Sequence, residues 1–125
     1  MKKSLERSCI KFVPLSRPVT FHVAIYTTED EVPTAIWLQR QRSKVEWGCF
    51  VRDVANHTPK GAQYVLPSSV VVVSLVKALK KESNECRVDL RTRRNGDLTL
   101  VLTMTAFEGF KASYAFHLAR LDTLA

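Results

Sequence analysis

Cysteine is scarce in this 125-residue chain: Cys9, Cys49 and Cys86 are an odd, widely spaced trio. They do not form a disulfide framework or a paired zinc motif, and they suit reduced thiols inside the cell. Glycine (4) and proline (5) are too few for a collagen-like or linker-like chain. No apolar run approaches the ~18 residues of a membrane-spanning helix. The runs reach only four residues, and one of them, Val70 to Val73, is followed by Ser74 and soon by three lysines. Lys2 and Lys3 open the chain, but Glu6, Arg7 and Lys11 interrupt any signal-peptide core, so neither secretion nor a membrane partner is expected. There is also no phosphate-cradling glycine loop, no metal-ligand spacing and no triad signature. The expectation is a chain that is not an enzyme and has no cofactor or metal. The strongest enzymatic alternative would gather His57, Asp53 and Cys49 into a cleft for an unidentified small substrate.

What the sequence does contain is a core and an excess of positive charge. Hydrophobic residues make up 46% of the chain, enough for one compact domain. Nineteen Lys and Arg against twelve Asp and Glu give +7 at pH 7, which favours polyanions without identifying one. Residues 1–8 read as a flexible charged lead, and 9–125 as one β-rich domain. A short first strand is expected around Ile10 and Phe12.

The main periodicity is two. Val19, Phe21, Val23 and Ile25 form a core-facing series opposed by His22 and Tyr26; Ala35–Gln39 is a short strand. In the next strand Val45, Trp47, Cys49 and Val51 alternate with Glu46, Gly48, Phe50 and Arg52. Trp47 is expected to fill the core, and Cys49 to be a buried, inert thiol. Tyr26 and Phe50 fall opposite the core series, where they could stack at an interface, although second-face packing in a sandwich is the preferred reading. Ser68 or Ser69 can cap a helix running to about Glu82, with Val72, Leu75, Val76 and Leu79 inward and Ser74, Lys77, Lys80 and Lys81 more exposed.

The C-terminal third reads as a three-strand meander. A two-residue Asn95-Gly96 loop would mix charged and apolar side chains on each face of the hairpin. A three-residue loop, Arg94-Asn95-Gly96, pairs Leu90 with Leu100, Val88 with Leu102 and Cys86 with Met104, and sets Arg93 opposite Asp97. It also places Gly96 where a type I turn plus bulge needs a left-handed residue. The last strand has Ala112, Tyr114, Phe116 and Leu118 on one side. The whole is an α+β fold: a small antiparallel β-sandwich or barrel-like head with one main amphipathic helix.

Arg40, Arg42 and Lys44 in one loop, with Arg91 and Arg93 on one strand face, are the candidate nucleic-acid contacts.

The segments VEWGCF, CRVDLRTRRNGDLTLVLTM and ASYAFHLARLD, with a helix between the first two, resemble the globular head of the end-joining scaffold superfamily, which includes centriolar assembly relatives. That resemblance implies a noncatalytic β-sandwich head for protein interaction in DNA repair, nuclear, oligomeric and in contact with protein partners and DNA. Its centriolar branch implies a self-assembling head in the cytoplasm or at the centrosome. Over a shorter stretch, SLVKALKKESNECRVDLRTRRNGDLTLVLTM with SYAFHLARLD resembles a sliding-clamp or checkpoint-clamp domain, which implies a DNA-associated module.

Overall fold

A computed structural model describes residues 2–12, 19–29, 32–52, 57–58, 68–81, 85–93, 95–105 and 111–121. The elements are β1 (Lys2–Ile10), β2 (Phe21–Thr27), β3 (Pro33–Arg40), β4 (Glu46–Phe50), α1 (Ser68–Lys80), β5 (Cys86–Thr92), β6 (Leu98–Thr105) and β7 (Lys111–Leu121). All neighbouring strands run antiparallel in the order β1-β2-β3-β4-β7-β6-β5. The fold is therefore α+β, a sheet curled into a half-barrel with one long helix among the described residues.

The long strand β7 joins the two halves. Residues 111–118 pair with β6, after which Ala119, Arg120 and Leu121 pair with Gly48, Trp47 and Glu46. The strand thus changes partner along its length, linking the N-terminal four-strand meander to the C-terminal three-strand one. Phe21, Val23 and Ile25 from β2, Ile36 and Leu38 from β3, Leu90 from β5 and Leu100 and Leu102 from β6 converge on one core with Tyr114, Phe116 and Leu118. Burial of each large side chain contributes about 1.5–3 kcal/mol. From α1, Val71, Val72, Leu75, Ala78 and Leu79 are buried.

The meander has the expected register: Cys86 faces Met104, Val88 faces Leu102 and Leu90 faces Leu100. At its turn the Arg93 amide donates to the Asp97 carbonyl at 2.9 Å, and Gly96 has φ +88°. Arg94 lies outside the described residues.

Three local expectations need correction. Residues 1–8 are not a lead, because Lys2–Ile10 forms an edge strand paired to β2. Its period-two pattern is broken by register shifts between Lys3 and Leu5 and between Arg7 and Ile10, which conceals the strand from a reading of alternation. Ser74 is buried on the packed side of α1, and Cys49 is half-buried instead of buried.

Candidate functional site

The outer side of β1–β4 and β7 carries an apolar groove, and cross-strand register explains it. Glu6, Ala24, Trp37, Gly48 and Ala119 form one continuous row, so Trp37 lies between an alanine and a glycine. A neighbouring row runs Lys3, Tyr26, Ala35 and Phe50. Small residues beside large rings leave a depression of about 550 Å³. Gly48 matters here for its lack of a side chain: a Cβ there would stand 3.2 Å from Leu121 Cδ1, so Leu121 can lean across the strand.

Polar groups hold the rim. The Trp37 indole donates to Glu46 Oε1 at 2.8 Å, and the His22 ring meets Trp37 edge-on at 5.5 Å. His22 Nε2 donates to Glu6 Oε1 at 2.9 Å, its Nδ1 lies 2.6 Å from Ser8 Oγ, and Lys3 Nζ donates to Glu6 Oε2 at 2.7 Å. Hydrogen bonds from Lys3 and then His22 hold the Glu6 carboxyl below its usual range, while Glu6 raises Lys3. Phe50 stands 84% exposed at the groove, with Leu121 45% exposed. An apolar ring left in water this far is the kind of feature that marks a contact surface when it borders an apolar patch.

The predicted basic residues are partly brought together. Arg40 closes β3, and its guanidinium lies over the Trp47 ring, 5.6 Å from the centroid, with Nε buried and lacking a hydrogen-bond partner. Trp47 is buried, as expected, and its indole donates to the Gly96 carbonyl at 2.8 Å. This links the β3–β4 turn, which carries Arg42 and Lys44, to the β5–β6 turn beside Arg93. Arg120 also reaches this point, its Nη1 3.7 Å from where a Gly96 Cβ would sit. Arg91 lies apart on β5, paired with Thr99.

Asp97 organises the second turn. It accepts from the Arg120 amide at 3.0 Å, from His117 Nε2 at 2.8 Å and from Asn95 Nδ2 at 3.0 Å. The Arg120 amide, followed by His117, holds its carboxyl below the usual range.

The described residues of the enzymatic alternative sit in different surroundings. His57 donates from Nδ1 to the Ala115 carbonyl at 3.2 Å, and its ring centroid lies 4.7 Å from that of Phe116, whereas Cys49 lines the outer groove, which His57 does not. Asp53 lies outside the described residues. Burial pushes the Cys49 thiol up, away from the nucleophilic thiolate. Among the described residues no group of three His, Cys, Asp or Glu side chains could hold a metal, and no helix is long and apolar enough to cross a membrane.

Sequence reasoning set Tyr26 and Phe50 opposite the core series but preferred second-face packing for them, whereas Phe50 is exposed, and it missed the groove. Trp37, Gly48 and Ala24 meet only through register across three strands.

No protein-family model and no curated protein sequence matches the chain. Among solved structures it is similar to the head domain of human CCDC61, with a TM-score of 0.69 and 15% identity over 94% of this chain and 99% of that one. This corrects the two resemblances drawn from sequence, since the match is neither an end-joining scaffold nor a clamp. The DNA-repair role and the nuclear placement rested on those resemblances and are withdrawn with them.

Proposed function

We propose that this chain is a noncatalytic, self-assembling head domain of the centriolar or cytoskeletal kind, acting in the cytoplasm or at the centrosome, and that its outer groove is the contact surface. The observation that carries the reading is Phe50, 84% exposed beside a groove lined by Tyr26, Ala35 and Trp37. A projecting ring and a receiving depression on the same surface meet the requirement of a two-fold contact, in which each copy inserts what the other receives. The likeness to a head domain supports the reading at the level of fold.

The test is the molar mass of the chain by sedimentation equilibrium over a concentration series. The wild type is expected to associate, and Phe50→Asp to remain monomeric with an unchanged thermal midpoint. Removing one buried Phe contact of about 1.5–3 kcal/mol weakens association by about tenfold or more. Trp37→Ala is expected to act in the same direction. A wild type that stays monomeric throughout, or a Phe50→Asp variant that associates as well as the wild type, overturns the proposal.

A further inference from the structure

The basic end of the half-barrel is not used by the outer groove. It collects positive charge from four separate stretches of chain. Ile10, Phe21 and Arg40 lie in one register row, which puts Lys11 at the end of β1 beside the β3–β4 turn. Arg42 and Lys44 are exposed on that turn, and neither has a carboxylate partner among the described residues. Arg40 is held over Trp47, and Trp47 is tied to Gly96, with Arg93 and Arg120 beside it.

The nearby acids are engaged. Asp97 accepts from the Arg120 backbone amide, from His117 and from Asn95, and Glu46 accepts from Trp37 on the outer side. Both carboxylates stay negative, but Lys11, Arg40, Arg42, Lys44 and Arg93 outnumber them, so this end keeps a net positive charge. Arg40, half-buried, is also restrained, because its packing against Trp47 limits the freedom that a surface arginine would lose on binding.

We propose that this end binds an acidic peptide segment of a partner protein. A compact cluster at one end of a sheet fits a short run of carboxylates, and arginine favours carboxylates through its planar donors. A single-stranded nucleic acid would also need exposed rings on which bases stack. Among the described residues the aromatics at this end, Phe12, Phe21 and Trp47, are buried, and the Trp47 N–H is committed to Gly96.

The test uses the full chain and a fluorescein-labelled polyglutamate peptide, with binding read by anisotropy at several salt concentrations. A single-stranded oligonucleotide of equal charge is measured in parallel. The variants are Arg42→Glu with Lys44→Glu, then Arg93→Glu. The control is Lys77→Glu with Lys80→Glu on the exposed side of α1.

Peptide affinity is expected to fall about tenfold or more in the turn double variant and several-fold in Arg93→Glu, with little change in the control. All variants are expected to keep the wild-type thermal midpoint. Phe50→Asp is expected to bind the peptide like the wild type, which separates this proposal from self-assembly. Equal losses in control and turn variants would mean attraction by net charge alone and overturn the proposal. Tighter binding of the oligonucleotide, or no peptide binding at low salt, would also overturn it.

Discussion

Asp97 shows how much one side chain can organise. Its carboxylate gathers an amide from β7, an imidazole from the same strand and the Asn95 amide. A carboxyl held below its usual range in the folded state contributes stability above the unfolded pKa and loses it as pH falls through the folded value. The loss therefore begins near the ordinary carboxylate range of about pH 4 and continues downward. Glu6 is lowered as well and adds to the same window. Asp97→Asn is expected to be less stable than the wild type at neutral pH, with the difference narrowing as acid is added. Urea unfolding at several pH values checks this, and a difference that widens in acid would be the wrong sign. The cysteines give a second residue-scale prediction. Cys9 is exposed, whereas Cys49 is half-buried with its thiol pushed up. Mass spectrometry after brief alkylation is expected to find Cys9 modified about tenfold faster.

Among the elements, the β5–β6 hairpin was the most legible. Leu90, Leu100, Val88 and Leu102 share a face in just one of the two loop solutions, so packing and turn chemistry agree on the register. Gly96 at φ +88° completes the turn. A Cβ there would find Arg120 Nη1 at an ordinary 3.7 Å, so the cost of a side chain lies in the backbone. Gly96→Ala is expected to lower stability by about 1 kcal/mol, read from the urea midpoint at unchanged slope. β1 was illegible for a physical reason: each register shift moves the following residues to the opposite face, and KKSLERSCI then shows no alternation to follow.

For the whole molecule, the sandwich-like enclosure with one helix was readable because the inward series of Phe21, Leu100 and Phe116 is long and regular. Phe116 is fully buried at the centre of β7. Phe116→Ala is expected to cost about 3–5 kcal/mol while unfolding stays a single transition, observed by circular dichroism and fluorescence together. The site was less readable. Phe50 and Tyr26 announced themselves by alternation, but the groove depends on which residues lie side by side across β2, β3 and β4, a non-local property. The convergence of the two basic turns was hidden for the same reason, since Arg40 and Gly96 are brought together through Trp47.

The half-barrel is left open at β1, where a stray chain would ordinarily find a row of unmet amides and carbonyls to copy. The two register shifts and the left-handed Cys9, at φ +61°, interrupt that row twice within nine residues. An incoming strand meets a broken template there, so growth into fibres by this margin is discouraged even at concentrations high enough for ordered assembly.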